Sequence, residues 1–344
     1  MSTPNDVGRR TQGRFWSAPK THSAAENPDT SSSKSGRQII AKSVGWLYTR
    51  VLHGVKYFLP DSAFLFLSHR RRVGRFPNLV KPATFNEIIL DRCLHPDPLW
   101  SVLADKLAVR EYVRTKIGEK HLIPLLAVPD VFTQDVFDAL PDAFVMKANH
   151  GCGFVKVVRS KADVSFVELQ QLADEWLRTD FYIASRERHY RSIKPKIYFE
   201  KLLTDRSGKV PADYKINIFD RVQGEPVVYT GVVSDRFGDP RHDFYDTQWN
   251  RLDIAAAGYP CSEDPAPRPA NWQEVLNVAA LLSEGLGYVR VDLYAYDDGI
   301  FFGELTFTPG AGVTRFSRDS FDYEWGQLIR TMPSSRARCP ACGS

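Results

Sequence analysis

Two carboxylates on neighbouring strands are the residues with the clearest chemistry in this sequence. The stretch YVRVDLYAY alternates, with Val289, Val291 and Leu293 on one face and Arg290, Asp292 and Tyr294 on the other. Asp297-Asp298-Gly299 predicts a three-residue hairpin loop with glycine in the left-handed position, and IFFGELTF (residues 300–307) predicts the return strand. A turn centred on Asp298 places Tyr296 opposite Ile300, Asp292 opposite Glu304 and Arg290 opposite Thr306. Directly opposed side chains have Cβ atoms roughly 4.5–5.5 Å apart, where like charges repel. An oxygen-ligated cation such as Mg²⁺ would offset that repulsion. The competing reading is a solvent-facing pair on the outer side of the sheet.

A phosphate-binding device is the next thing to look for. No GxxxxGK[ST] sequence is present, which excludes a Walker-type P-loop. His150-Gly151-Cys152-Gly153-Phe154-Val155-Lys156 begins like GxGxxG. It carries Lys156 at the third glycine position, however, and lies between two strands rather than opening a helix. Glycines in a strand–loop–strand hairpin can still present backbone N–H groups to phosphate, with Lys147 adding a point charge. A plain hairpin with a surface lysine fits the same pattern equally well.

The elements that must position these residues follow from periodicity. DKLAVREYVRTKI (residues 105–117) has helical spacing and stops at Gly118. LIPLLAV (residues 122–128) predicts a short buried strand, and AFVMKANHGCGFVKVV (residues 143–158) a strand, a glycine loop and a second strand. A helix follows over about 166–177. KIYFEKLL, ADYKINIFD and EPVVYTGVV predict three more strands, and a helix from Asn271 or Trp272 to about Gly285 leads into the hairpin. SDRFGDPRHDFYD (residues 234–246), with Arg236, Arg241 and His242, reads as a solvated loop, and Tyr214 and Tyr245 as packing or rim aromatics. His150 is either a phosphate contact or a cap of its own loop. Strands joined by tight turns and mixed with helices define an α+β class rather than a doubly wound array.

Bulk properties narrow the function classes. The 344 residues are 43% hydrophobic and 25% charged with net charge +4, ordinary for a globular enzyme and no signature of nucleic-acid binding. The five cysteines are odd in number and form no framework, which argues for a reducing compartment. A lone Cys339-Pro-Ala-Cys342 is a weak zinc signal, and a frayed tail is the better reading. Residues 39–67 are more apolar but never reach the ~18–20 uninterrupted apolar residues of a spanning helix. A packed helix with a basic turn at His69-Arg70-Arg71-Arg72 is expected there. Peripheral attachment to an anionic membrane face is the alternative.

DKLAVREYV, FVMKANHGCG, FEKLL, DYKINIF, YVRVDLY and FGELTFTPGAG, in that order, resemble the motifs of the ATP-grasp superfamily. With KPATFNEIILDRCL (residues 81–94) and DFYDTQW (residues 243–249), they resemble more closely its TupA-like branch, named for teichuronopeptide synthesis. The resemblance implies two α+β lobes clasping ATP, with a helical N-terminal segment. Expected divisions are a disordered segment over 1–38, a helical region over 39–100, lobes over 101–199 and 200–330, and a flexible tail over 331–344. It implies phosphate contacts from Lys106, Lys147 and Lys215 under the Gly151–Gly153 loop, and adenine and ribose contacts from Glu200, Lys201 and Leu202. Mg²⁺ would lie on Asp292, Glu304 and Thr306, with Arg290 and Lys215 at the reaction centre. Thr306 stands where the family carries asparagine, and Ile88 follows Asn86-Glu87 where the branch often carries lysine.

The implied activity is ATP- and Mg²⁺-dependent ligation of a carboxylate to an amine through an acylphosphate. The implied setting is cell-surface polymer synthesis on the cytoplasmic side, with small or polymer-linked substrates. A sugar or small-molecule kinase, and a non-catalytic nucleotide-binding module, are the rival readings. The oligomeric state is not expressed in the sequence.

Overall fold

The computed structural model describes residues 58–330, apart from 207, 209, 221–224, 235–239, 257–258 and 297–298. The expectations for 1–38, for the start of the helical region, for Arg236 and for the tail over 331–344 with its two cysteines lie outside the described residues.

Four helices come first: α1 (Asp61–Val73), α2 (Phe85–Leu94), α3 (Leu99–Leu103) and α4 (Val109–Ile117). A four-stranded antiparallel sheet follows, built from β1 (Leu125–Ala127), β2 (Phe144–Ala148), β3 (Val155–Val158) and β4 (Ile197–Lys201) in the order β1-β4-β2-β3. Helices α5 (Gln134–Ala139), α6 (Phe166–Arg178) and α7 (Phe181–Ser185) are inserted between its strands. Ser165 and Glu168 close a capping box on α6, and its stripe of Leu169, Ala173 and Trp176 packs with Phe144, Met146 and Phe199.

The second sheet has six antiparallel strands: β5 (Asp213–Phe219), β6 (Val227–Ser234), β7 (Arg241–Tyr245), β8 (Arg251–Leu252), β9 (Tyr288–Tyr296) and β10 (Gly299–Thr306). Their order is β10-β9-β5-β6-β7-β8, with α8 (Trp272–Ser283) before β9 and α9 (Asp319–Arg330) at the end. Val289, Val291 and Leu293 of β9 join Ile216 and Ile218 of β5 against α8 and the Val109–Val113 stripe of α4. That dry face leaves Arg290, Asp292, Lys215 and Asp213 on the other one.

Trp100, Val109, Val113 and Leu122 are buried in the core of the second sheet. Three expectations are corrected. LIPLLAV is buried only at Leu122 and Ile123: β1 itself is an edge strand, with Leu125 and Leu126 just over a third exposed. Arg241–Tyr245 is a strand rather than a solvated loop, and Tyr245 is fully buried there. The hairpin has no three-residue loop, since Gly299 already pairs with Tyr296 and Ile300 with Ala295.

Glu304 nevertheless faces Asp292, and Thr306 faces Arg290. A bulge between Phe302 and Glu304 supplies the missing residue and shifts the pairing by one. Gly303 is the extra residue, and a Cβ there would stand 3.0 Å from the Asp292 carbonyl oxygen. Gly303→Ala should therefore cost about 1–3 kcal/mol as an overpacked site, read by chemical denaturation. A variant as stable as the parent, with Glu304 still opposite Asp292, would remove the close approach as the reason for glycine.

Candidate functional site

The paired carboxylates are gripped by cations from three directions. Arg290 Nε donates to Asp292 Oδ1 at 2.6 Å, and Nη2 donates to Asp292 Oδ2 at 2.8 Å, Glu304 Oε1 at 3.1 Å and Thr306 Oγ1 at 3.0 Å. Lys215, directly across from Asp292 on β5, places Nζ 2.5 Å from Asp292 Oδ2 and 2.7 Å from Asp213 Oδ2. Lys106 Nζ lies 3.2 Å from Glu304 Oε2 and donates to the Gly151 carbonyl at 2.7 Å. Burial pushes the Glu304 carboxyl up, but Lys106, Arg290 and Lys215 outweigh it and hold it well below the usual carboxylate range.

Lys147, on β2, bonds Glu200 Oε2 at 2.6 Å, while Arg110 approaches Oε1 at 3.6 Å. The Glu200 carboxylate is thus engaged in positioning Lys147. Glu200 also lines the cleft. Leu202 and Lys201 both line the cleft.

The glycine loop is built by local chemistry. His150 Nε2 lies 3.1 Å from the Trp176 carbonyl and 3.2 Å from that of Thr179, so it anchors its own loop to α6. Gly153 has φ +85°, a conformation that disfavours any side chain. Asn86 and Glu87 prove architectural. Asn86 exchanges two hydrogen bonds with the Thr314 backbone, and Glu87 accepts from the amides of Asn78, Ala83 and Thr84.

These groups converge on one cleft between the sheets, with a volume of about 760 Å³, within the range of small-molecule sites. Val145, Val155, Val157, Leu202 and Val210 give the lining an apolar surface suited to a flat ring. Lys106, Lys147, Lys215, Asp292 and Glu304 give it charge suited to a polyphosphate. Gly153 lines the cleft, while Gly151 contributes its carbonyl to Lys106. Among the described residues no cluster of three or more His, Cys, Asp or Glu forms a self-sufficient metal cage. Two carboxylates with a hydroxyl beside them nevertheless fit Mg²⁺, which is usually held by one or two carboxylates plus substrate phosphates. Thr306 Oγ1, 3.2 Å from Glu304 Oε1, is the hydroxyl at that place.

Sequence reasoning missed four contributors. Asp213 was open to discovery, because it precedes Lys215 by two residues and shares its strand face. Arg110, one helical turn after Lys106, was accessible on the same grounds. Glu187 and Thr308 were not, because their meeting is purely tertiary: Thr308 Oγ1 donates to Glu187 Oε1 across a long sequence separation. Burial pushes the Glu187 carboxyl up to about 7, despite the lowering hydrogen bonds from Thr308 and Ser185.

Two antiparallel α+β units enclosing a cation-lined cleft, with Asp and Glu on adjoining strands of one of them, define the ATP-grasp fold. The family model "TupA-like ATPgrasp" matches residues 90–330, and the chain belongs to that family. Among solved structures it is similar to D-alanine–D-alanine ligase from Bacillus anthracis, at 17% identity over 67% of each chain with a TM-score of 0.37. It is similar to the Helicobacter pylori enzyme of the same name at 13% identity, over 67% of this chain and 62% of that one, with a TM-score of 0.40. A RiPP-associated ATP-grasp ligase from Chryseobacterium gregarium, in complex with ADP and a leader and core peptide, is similar at 14% identity. That match covers 84% of this chain and 68% of the other, with a TM-score of 0.30. The chain spans about two-thirds of the length of these solved chains. No curated protein matches it.

Asp292 and Glu304 should respond differently to neutralisation. Asp292 is 3% exposed and shares both oxygens with Arg290 and Lys215. Asp292→Asn, which strands buried cations, should cost about 3 kcal/mol of stability, whereas Glu304→Gln should cost clearly less because Glu304 is partly exposed. Equal unfolding midpoints for the two variants would refute this ranking.

Glu187 should leave a pH signature on folding. The folded state keeps its proton up to about pH 7, while the unfolded chain releases it near 4.5. Stability therefore falls as pH rises through that window. Relative to Glu187→Gln, the parent should lose about 3 kcal/mol between those limits, measured by denaturant titration. Parallel curves for the two proteins would contradict the assignment.

Proposed function

We propose that this protein is an ATP- and Mg²⁺-dependent ligase that joins a carboxylate to an amine. The observation that carries this reading is the posture of Arg290. Its Nε and Nη2 are committed to Asp292, Glu304 and Thr306, while Nη1 has no protein partner among the described residues. A guanidinium held rigidly beside a phosphate-sized cationic pocket, with one nitrogen free, suits the oxyanion that forms when a carbonyl is attacked. Bound ATP would supply the phosphoryl group that activates the carboxylate, and Mg²⁺ on Asp292 and Glu304 would neutralise charge on the phosphates.

The chain's own residues do the rest by positioning. Lys106, Lys147 and Lys215 are already in the cleft, each held by a carboxylate, and need only turn toward phosphate oxygens. The apolar wall around Leu202 and Val155 holds the base of the nucleotide. We assign the substrates to cell-surface polymer assembly near the inner face of the membrane. Support comes from the likeness to the TupA-like branch and from Arg70, Arg71 and Arg72 in the last turn of α1. Among the described residues no helix is long and apolar enough to cross a membrane.

The test is a turnover screen with ATP, Mg²⁺ and candidate acids, with hydroxylamine as trapping nucleophile. A ligase releases ADP and phosphate and yields a hydroxamate. In addition, Arg290→Ala should lower turnover by about 10²–10³-fold while ATP still binds, as for a lost oxyanion donor. A stable phosphorylated product without hydroxamate would replace the ligase with a kinase. ATP binding with no turnover for any acid tried would leave the non-catalytic reading ahead.

A further inference from the structure

Among the described residues, buried carboxylates follow a consistent pattern, and one of them departs from it. Asp292 and Asp213 are paired with Lys215, Glu200 with Lys147 and Arg110, Asp243 with Arg251, and Asp322 with Arg75. Glu87 has no cation but is caged by three backbone N–H groups. Glu187 is 6% exposed, yet only hydroxyl groups, those of Thr308 and Ser185, are hydrogen-bonded to its side chain. Among the described residues no lysine or arginine nitrogen lies at ion-pair distance from it, though Arg290 is near enough to lower the pKa of its carboxyl. Its two arginine neighbours in the chain, Arg186 and Arg188, both turn to Asp61 instead. A buried carboxylate without a counter-charge is costly to ionise unless a cation arrives.

Its position near Glu304 and Arg290, whose charges act on it, says which cation that would be. Along one face of the second sheet the order runs from Tyr294 in the nucleotide cleft, past Asp292 and Glu304, to Arg290 and Thr306. Thr308, bonded to Glu187, lies two residues beyond Thr306, just past the end of the strand. Glu187 therefore stands beyond Arg290 from Tyr294, which on the ligase reading is the side left for the acceptor. The phenol of Tyr190 is pushed well above its usual range by burial, with the nearby charges of Glu187 and Glu304, while Arg290 opposes the shift. Its aromatic ring adds a face that favours a cation.

We propose that Glu187 is the recognition group for the amine substrate, receiving a primary ammonium group and holding its nitrogen on the acceptor side of Arg290. This rests on the ligase reading and makes it more specific: the acceptor is a primary amine that arrives protonated. Thr308 and Ser185 orient the carboxylate for it.

Two nucleophiles of opposite character test this in the full-length protein. With an acid that supports turnover, ammonium chloride supplies a cationic acceptor, and hydroxylamine at pH 7.5 supplies an uncharged one. Glu187→Gln keeps the shape and the hydroxyl contacts but removes the charge. It should raise the KM for ammonium at least ~30-fold, the penalty of a lost buried charge partner. Hydroxamate formation and the KM for ATP should stay within about threefold of the parent, since neither involves the carboxylate. Thr308→Ala keeps the carboxylate and breaks its bridge, and should change the ammonium KM by only a few fold. An unchanged ammonium KM in Glu187→Gln overturns the proposal, as does equal loss of both nucleophiles. So does a Thr308→Ala variant that loses ammonium use as completely, because Glu187 would then be a structural bridge. If Glu187→Gln does not fold, Thr308→Ala and Glu187→Asp decide the matter: the aspartate, one methylene short, must retain saturable ammonium use. A parent protein that forms no hydroxamate with any acid removes the ligase reading itself, and this inference with it.

Discussion

A continuous run of alternating charge is the constraint on which the rest of this structure depends. Asp213, Lys215, Asp292, Arg290, Glu304 and Lys106 pass from β5 through β9 and β10 to the turn before α4, each in contact with the next. Few of these groups could be ionised alone at this depth, since an unpaired buried charge costs several kcal/mol. Together they satisfy one another, provided that three strands and one turn keep their register to within a fraction of an ångström. The apolar face behind them supplies that rigidity: Val289, Val291, Leu293, Ile216 and Leu282 are essentially inaccessible to solvent. Packing on one side of the sheet therefore makes the chemistry on the other side affordable.

The same balance of charge explains how the cleft could accept a polyanion and a divalent cation. Lys106, Lys147 and Lys215 are each matched with a carboxylate, so an incoming phosphate competes for lysines that carboxylates already hold. A cation that takes over the carboxylates frees the lysines for phosphate, so the two ligands should assist one another. Lys106 couples this exchange to the glycine loop, because the same ammonium that faces Glu304 also holds the Gly151 carbonyl. Moving Lys106 onto phosphate would release the loop at the moment when its backbone N–H groups are wanted over the nucleotide.

How much of this was legible in the sequence depends on the range of the interaction. Period-two alternation in YVRVDLYAY determines which of its side chains share a face, and so Asp292 and Arg290 could be grouped before any coordinates, whereas Lys215 entered only through the family resemblance. The Asp292–Glu304 pairing was reached through a loop length that the structure does not have. A one-residue error at the turn is cancelled by the bulge at Gly303, and only a glycine in mid-strand hinted at it. β7 escaped notice because RHDFY carries its charges at positions buried by other elements: Asp243 is held by Arg251 and the Ser262 amide. The helix expected over 105–117 was legible as a helix, though it begins only at Val109, and the sheet against which it packs was not legible.

Glu187 shows where local reasoning stops. Flanked by Arg186 and Arg188, it reads as one charge in a solvated run, already neutralised by its neighbours. In the fold both arginines are drawn to Asp61, at the start of a helix more than a hundred residues earlier in the chain. The glutamate is left to Thr308, which the second sheet delivers from the other direction. Sequence adjacency would have made an ion pair; tertiary structure turns the same arginines elsewhere and leaves this carboxylate without an ion pair among the described residues, near Arg290. Such an arrangement works against stability, since the group is pushed toward its neutral form, and groups that work against stability in this way cluster where ligands are bound. The departure from the pairing pattern is therefore more informative about function than the pattern itself.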